Sequence, residues 1–280
     1  MSSLLVLLVL GAALLHAVWN TLVKAGGEPE FTIASFQLVG ALACLMLVPF
    51  VAPPARGSWP MLLASVAVHN VYYLTLARAY RIGDLGQVYP LFRGLAPVLV
   101  AVGGFLFAGE WLGPVKLAGI CTVSAGVMSL ALPRGTGNRF PAPAVLWGLA
   151  TSLMIACYTV VDGIGVRAAG SRIGYILWLF VFEIVPIGTV LLITRKRAFS
   201  LYLRTRWRSC LIGGLASSAA YGMVVFAMSL GAMAVVSSLR ETSVVFSVLI
   251  ATFVLKEPFG RHRTAASLLV AGGVILMQLA

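Results

Sequence analysis

Apolar segments long enough to cross a lipid bilayer recur along the whole chain, and they limit its fold more than any other feature. Of the 280 residues, 60% are hydrophobic and only 10% are charged. A helix spans the hydrocarbon core with about 20 apolar residues. Uninterrupted runs such as residues 98–107 do not fit the alternating strands of a membrane barrel. We therefore expect an all-α polytopic membrane protein.

Proline, glycine and charged clusters divide the sequence into ten predicted helices. We place them at about residues 4–23, 31–51, 59–79, 85–108, 114–132, 144–161, 174–193, 209–230, 235–255 and 263–279. The segment 134–143 is rich in glycine, proline and arginine, which is typical of a linker. It separates a first unit, residues 1–133, from a second unit, residues 144–280.

The second unit repeats the first. A shift of 147 residues places Arg93 on Arg240, Glu110 on Glu257 and Gly126 on Gly273. Each unit has five predicted helices, an odd number, so the second unit must enter the membrane in the opposite sense. Many secondary transporters have this plan and bind substrate near the bilayer midplane, between their repeats. The sequence therefore predicts ten transmembrane helices arranged as two inverted five-helix repeats.

The basic residues predict the orientation of the chain in the membrane. The formal net charge is +12, which in a soluble protein would suggest nucleic acid. Here fourteen lysines and arginines lie in, or at the edges of, loops after odd-numbered predicted helices, and four lie in, or at the edges of, loops after even-numbered ones. Cytoplasmic loops carry the excess of positive charge. We therefore expect both termini outside the cytoplasm and no nucleic-acid partner.

Short motifs recur at matching places in the two units. The first unit contains His-Ala-Val-Trp-Asn at 16–20, Tyr-Pro at 89–90 and Gly-Glu at 109–110. The second contains Tyr-Thr-Val-Val-Asp-Gly at 158–163, Leu-Arg-Glu-Thr at 239–242 and Lys-Glu-Pro at 256–258. With these motifs and the repeat, nearly the whole chain resembles the EamA type of the drug/metabolite transporter (DMT) superfamily, as two tandem EamA-like units.

The resemblance implies a ten-helix permease of the bacterial inner membrane that exports or exchanges metabolites, amino acids or drugs. It implies a small-molecule substrate, the lipid bilayer as surroundings, and no enzymatic reaction or cofactor. It also implies cytoplasmic termini, in disagreement with the charge count, and we follow the charge count.

Arg93 and Arg240 are the strongest candidates for substrate binding. Arg93 lies eight residues into its predicted helix, about 12 Å at 1.5 Å per residue. A charge at such depth costs about 2.5–3.5 kcal/mol and normally faces a cavity or a partner. Guanidinium groups bind carboxylates and phosphates, so the two arginines predict an anionic substrate held between them. The alternative is that they extend to the interface or pair with Glu241 or Asp84.

Glu241 and His16 are candidates for coupling transport to protons. A carboxyl in a low-dielectric cavity can carry a proton, and histidine changes its charge near neutral pH. Adjacent helical residues point about 100° apart, so Glu241 is not expected to face the same spot as Arg240, whereas Ser237 shares the face of Arg240. A structural ion pair for Glu241, and ordinary hydrogen bonding for His16, are the alternatives.

Other polar and aromatic residues complete the predicted substrate site. Aromatic side chains bind organic substrates well, but they also form ordinary packing and membrane belts. The members of this group are Trp19, Asn20, Asn70, Tyr89, Tyr158 and Ser237. We expect Asp162 to end its helix, and Glu183 is a further candidate because it lies in mid-helix, although the resemblance places that helix at the periphery.

The function predicted from these features is secondary active transport of a small metabolite by alternating access around a midplane cavity. The first substrate class is an organic anion such as a phosphonate or carboxylate, moved with protons or a counter-substrate. Amino acids or amphipathic drugs are the alternative. The sequence contains no P-loop, so ATP is not expected to drive transport directly, and no HExxH metal motif, so a lipid-modifying enzyme ranks behind the two transport functions. An accessory subunit also ranks behind them, because it has little reason to keep Arg93 and Arg240 at related depths.

Overall fold

The computed structural model describes residues 3–26, 28–82, 85–131, 141–246, 249 and 261–279. Every regular element in these ranges is helical, as expected for the all-α class. The helices are α1 (Ser3–Gly26), α2 (Pro29–Leu47), α3 (Trp59–Ile82), α4 (Leu85–Ala108), α5 (Pro114–Ser129), α6 (Ala142–Ala168), α7 (Arg172–Thr194), α8 (Lys196–Thr205), α9 (Trp207–Met228), α10 (Met233–Arg240) and α11 (Arg261–Gln278).

Seven of these helices are long and apolar enough to cross a membrane: α1, α2, α3, α4, α6, α7 and α9. The helix α5 is apolar but shorter. Most of the predicted linker, and residues 247–248 and 250–255 of the predicted helix at 235–255, lie outside the described residues. The chain is thus a helical membrane protein, while the arrangement of ten helices as two inverted repeats stays a prediction.

The distribution of polarity is the reverse of that in a soluble protein. Large apolar side chains such as Leu7, Leu74 and Phe107 are exposed on the outside of the bundle. Charged and polar side chains, among them Arg93 and Asp162, are buried inside it. Apolar side chains can face lipid at no cost, whereas charged groups must find partners or a cavity within the protein. The bundle interior is therefore where function is to be sought.

Local sequence explains where several helices begin. Pro29 and Pro114 are the first residues of α2 and α5, a position that needs no backbone N–H donor. Ser171 precedes α7, and its hydroxyl accepts a hydrogen bond from the Gly174 N–H at 3.1 Å. Gly170 just before it has a φ of 64°, which favours glycine.

Three predicted helix boundaries are wrong. The helix predicted to end near residue 161 continues to Ala168, so Asp162 lies inside α6. Residues predicted as a loop form α8, whose apolar side chains, among them the buried Phe199, pack beneath a basic outer face. The helix predicted at 235–255 is interrupted: α10 ends at Arg240 and residues 241–242 form a turn.

The interruption after α10 has a local cause in hydrogen bonding. The N–H groups of Glu241, Thr242 and Val244 each donate to the carbonyl three residues earlier, at 3.0–3.1 Å. The Thr242 hydroxyl donates to the Leu239 carbonyl at 2.7 Å. Such tightening of one helical turn often occurs at functional sites. It sets the orientations of Arg240 and Glu241 relative to each other.

Contacts between α5 and α11 follow the sequence repeat. A Cβ added to Gly126 would meet the Ala266 carbonyl at 3.1 Å, and one added to Gly119 would meet the Gly273 carbonyl at 2.8 Å. The shift of 147 residues converts the first contact into the second. Two antiparallel helices make such equivalent contacts when a pseudo-two-fold axis relates them. The contacts therefore support the predicted inversion of the repeat.

Candidate functional site

A cavity of about 140 Å³ lies in the middle of the bundle. One water needs about 10–15 Å³ of such space, so the cavity has room for a small organic molecule. Residues of α1, α2, α3, α4, α6, α7, α9 and α10 line it. The site residues predicted from the sequence lie on α1, α3, α4, α6 and α10 of this set.

Aromatic rings form much of the cavity wall. The His69 ring stacks on Tyr158 with centroids 4.0 Å apart and meets Tyr221 edge-on at 5.4 Å. On the α1 side, the Asn20 amide donates to the Tyr89 hydroxyl at 3.3 Å. Stacked and edge-on rings hold one another in fixed orientations. The wall is therefore a preformed surface suited to an organic ligand.

Arg93 and Glu241 form an ion pair inside the bundle. The Arg93 Nε lies 3.0 Å from Glu241 Oε2, and the two side chains are 5% and 0% exposed. The pair lacks the alignment of a good hydrogen bond, and the second guanidinium nitrogen, Nη2, is buried with no hydrogen-bond partner among the described residues. Arg93 also lines the cavity. Its guanidinium is thus held by Glu241 on one side and accessible to a ligand on the other.

Arg240 lines the same cavity and forms no ion pair among the described residues. It is 3% exposed, and its Nε and Nη2 have no hydrogen-bond partner in the part of the chain that the structure describes. The repeat explains the difference from Arg93. The residue that corresponds to Glu241 in the first unit is Gly94, which has no side chain and packs directly against Met128. Among the described residues, Arg93 therefore has an ion-pair partner and Arg240 has none.

Glu183 gives the cavity an acidic side. It is buried in the middle of α7, and its Oε1 accepts hydrogen bonds from the Tyr73 hydroxyl at 2.7 Å and the Gln37 amide at 3.2 Å. No ion pair in the described residues includes it. Both hydrogen-bond donors to this carboxylate are neutral, so a cationic group in the cavity can form an ion pair with it.

Asp162 lies just behind the cavity wall. Its oxygens accept hydrogen bonds from the Tyr175 hydroxyl at 3.0 Å and the Tyr221 hydroxyl at 2.6 Å. Arg167, which lies further along α6, binds Glu110. Asp162 thus connects α6 to α7 and α9.

The structure brings most of the predicted site residues together and leaves three of them outside the cavity wall. Those that line the cavity are His16, Trp19, Asn20, Tyr89, Arg93, Tyr158 and Arg240. Asn70 is not among the lining residues, and its amide donates to the Val66 carbonyl at 2.8 Å. Ser237 and Glu241 are fully buried beside the cavity, and Glu241 faces Arg93 as described.

Sequence reasoning missed several lining residues. Gln37, Ser217 and Ser218 line the cavity but were not proposed for the site, and Glu183 was proposed without being assigned to it. The signal that could have identified these residues is that each is a polar side chain inside an apolar segment. Expecting α7 at the periphery was wrong, because Phe180 and Glu183 of α7 line the cavity.

A second polar cluster, the Glu110 latch, joins the two units at one end of the bundle. It consists of Glu110, Arg167 and the α9–α10 turn. Arg167 binds the Glu110 carboxylate and donates to the carbonyls of Met228 at 2.9 Å and Gly231 at 2.7 Å. Glu110 Oε2 accepts from the Met233 N–H at 2.9 Å, at the first turn of α10. Met233 and Arg240 lie about 10 Å apart along the axis of α10.

Among the described residues, no group of three or more His, Cys, Asp or Glu side chains is placed to hold a metal ion. The polar groups of the cavity are instead arranged as opposite charges around an aromatic wall. This arrangement suits reversible binding of a charged organic molecule.

Comparison with known proteins identifies a transporter family, in agreement with a helical membrane bundle that encloses a polar cavity. Residues 3–132 and 142–279 each match the EamA-like transporter family. The chain belongs to the EamA-like transporter family. The two matched segments correspond to the two copies of the sequence repeat. The family consists of membrane transporters and belongs to the drug/metabolite transporter superfamily. This EamA-like protein is therefore an integral membrane protein of a transporter family.

Individual relatives add detail on fold more than on substrate. The EamA-like protein is 35% identical over 79 residues to an uncharacterized transporter in the cobO 3' region of a Sinorhizobium species. That match takes in 28% of this chain and 55% of the relative, so it spans about half of that protein. One solved crystal structure superimposes with a TM-score of 0.81 at 18% identity, covering 100% of this chain and 98% of that one. The latter likeness shows the shared fold.

Proposed function

We propose that this EamA-like protein is a secondary active transporter of a small organic anion, such as a phosphonate or carboxylate. The substrate occupies the central cavity, and alternating access exposes it first to one side of the bacterial inner membrane and then to the other. Protons or a counter-substrate drive the cycle.

The main support is the guanidinium of Arg240. It is buried in the cavity wall with two nitrogens that have no hydrogen-bond partner among the described residues. An uncompensated charge at membrane depth is costly, and such groups mark substrate pathways. A carboxylate or phosphonate oxygen matches the guanidinium fork and would take the place of the carboxylate that Gly94 does not supply.

The Arg93–Glu241 pair offers a means of coupling. In the paired state, Glu241 neutralises Arg93. A proton on Glu241 removes the negative charge and leaves Arg93 free to bind the anion together with Arg240. Proton and anion then bind together, and their binding is thermodynamically linked. His16, which also lines the cavity, is the second candidate for a proton site.

A second candidate function is export of amino acids or amphipathic drugs, and Glu183 favours it. Glu183 lines the cavity without a cationic partner among the described residues. A substrate with both an anionic group and an amine would satisfy the arginine side and the acidic side at once.

Uptake into proteoliposomes tests the proposal. The panel contains phosphonates, phosphate esters, carboxylates, neutral amino acids and organic cations, each with and without a pH gradient. Arg240→Gln removes the charge, Arg240→Lys keeps it, and Arg56→Gln removes a charge from the exposed surface as the matched control. We expect saturable uptake of an anion by the wild type.

The variants decide the role of Arg240. We expect Arg240→Gln to raise KM at least about tenfold, Arg240→Lys to have a smaller effect, and Arg56→Gln to have none. Equal anion uptake by Arg240→Gln and the wild type would overturn the arginine site. Uptake confined to neutral amino acids or cations would favour the second candidate function.

A further inference from the structure

Asp162 is a buried carboxylate that the transport cycle proposed above does not use. It lies inside the membrane-spanning helix α6 with 0% of its surface exposed. Both of its oxygens are occupied: the Tyr175 hydroxyl donates to Oδ1 and the Tyr221 hydroxyl to Oδ2. Charged carboxylates at this depth are rare and normally functional.

The neighbours of Asp162 leave its charge uncompensated by an ion pair. Tyr175 faces it from α7, Tyr221 from α9, and Ser65 and His69 from α3. None of the ion pairs in the described residues includes Asp162. It therefore differs from Glu241, which has Arg93 at 3.0 Å. Among the described residues, the neighbours of this carboxylate are neutral hydrogen-bond donors and one imidazole, and such surroundings suit a group that gains and loses a proton.

Tyr221 connects this carboxylate to the cavity. Its hydroxyl is 2.6 Å from Asp162, and its side chain lines the same cavity as Arg240. Tyr175 binds the other oxygen of the same carboxylate but is fully buried and is not among the lining residues. The two tyrosines make the same hydrogen bond to Asp162, and only Tyr221 has a second face toward a ligand.

We propose that Asp162 reversibly binds a proton and that Tyr221 passes its protonation state to the cavity, which makes Asp162 a regulator of the anion site proposed above. An ionised carboxylate only accepts hydrogen bonds, so Tyr221 must donate its single hydrogen toward Asp162. The hydroxyl oxygen then presents only lone pairs to the cavity. That state disfavours an anion.

Protonation reverses the hydrogen bond. A proton from cavity water forms an O–H bond on Oδ2, and this O–H donates to the Tyr221 oxygen. The Tyr221 hydroxyl then no longer donates to Asp162. Its hydrogen stays on the oxygen and turns toward the cavity, where it can be donated to an anion bound at Arg240. No other covalent bond changes, and release of the proton to water restores the first state. Anion binding is thus tighter at lower pH.

Infrared spectroscopy of the full-length protein in detergent tests proton binding without any substrate. The readout is the carbonyl band of protonated carboxyl groups as a function of pH, and its rate of hydrogen–deuterium exchange. The variants are Asp162→Asn, Tyr221→Phe and the matched control Tyr175→Phe. We expect one band component to titrate in the wild type and to be missing in Asp162→Asn. Its exchange should slow at least about tenfold in Tyr221→Phe and much less in Tyr175→Phe.

Binding of methylphosphonate and benzoate as anion probes tests the link to the cavity. We expect affinity to rise about tenfold as pH falls in the wild type and Tyr175→Phe, the effect of one gained hydrogen bond. In Tyr221→Phe this tenfold rise in affinity should disappear. Glu241→Gln is added to all three proteins to remove the contribution of the Arg93–Glu241 pair to the pH dependence.

The outcomes separate the two proposals. A band that does not titrate, or equal exchange rates in Tyr221→Phe and Tyr175→Phe, would overturn the role of Asp162. Unchanged pH dependence in Tyr221→Phe would do the same. Absence of probe binding by the wild type would count against the anion transporter alone, because the infrared readout needs no ligand. Should Asp162→Asn fail to fold, the two tyrosine variants still decide.

Discussion

The guanidinium of Arg93 lies 3.0 Å from the carboxylate of Glu241, whereas Arg240, its counterpart in the repeat, has no such partner among the described residues. The repeat would place a carboxylate for Arg240 at position 94, and that position is glycine. Gly94 is excluded from carrying a side chain by its packing, since a Cβ there would lie 2.9 Å from the Met128 backbone N. The asymmetry leaves one positive charge for a ligand.

Removing one member of the Arg93–Glu241 pair should destabilise the protein strongly. Arg93→Leu leaves Glu241 as an uncompensated buried charge, and we expect the free energy of unfolding to fall by about 3–5 kcal/mol. The double variant Arg93→Leu/Glu241→Leu should recover most of this loss. Unfolding of the purified variants in mixed detergent measures the difference. A double variant as unstable as Arg93→Leu would contradict the pairing.

The Glu110 latch should contribute to stability through hydrogen bonds that cross between the units. Glu110→Gln weakens the contacts to Arg167 and to the start of α10, so we expect a loss of about 1–3 kcal/mol in the free energy of unfolding. Glu30→Gln is the matched control, because its pair with Arg81 is exposed and such pairs contribute about 0–1 kcal/mol. Equal effects of the two changes in thermal unfolding would show that the Glu110 latch contributes no more to stability than an exposed ion pair.

Gly272 and Gly273 are adjacent in α11 but should differ in their tolerance of alanine. A Cβ on Gly273 would meet the Gly119 carbonyl at 2.7 Å, while one on Gly272 would meet no described atom within 4 Å. We expect Gly273→Ala to cost about 1–3 kcal/mol through overpacking. Gly272→Ala should be neutral or stabilising by up to about 1 kcal/mol, since alanine favours helix. Melting temperatures in detergent compare the two, and similar values would argue against the α5–α11 contact.

Cysteine labelling checks the predicted orientation. Position 197 lies at the start of the basic helix α8, and position 57 lies in a short, exposed 3₁₀ turn before α3. With the exposed native Cys121 replaced by serine, we expect a membrane-impermeant maleimide to label Gly57→Cys in intact cells but not Arg197→Cys. The label should reach Arg197→Cys once the membrane is permeabilised. The opposite pattern would place the termini in the cytoplasm.

Some of the site was predictable because membrane burial makes charged residues conspicuous. Arg93 and Arg240 stood out from their depth in apolar segments and from the repeat, and both line the cavity. Gln37 and Glu183 gave weaker signals, since a polar residue in one helix does not reveal which neighbour it faces. The break after Arg240 was missed, because the apolar pattern of 235–255 continues through residues whose hydrogen bonds tighten the turn.

The sequence by itself determined the fold class and the repeat, because the cost of exposing polar groups to lipid acts on composition and spacing alone. It also determined that the buried arginines need partners. Only the tertiary structure decided which partners they have. The rotation of each helix about its axis, set by glycine contacts and by the turn at 241–242, directs Glu241 to Arg93 and leaves Arg240 facing the cavity. Two residues that correspond in sequence thereby occupy different electrostatic environments.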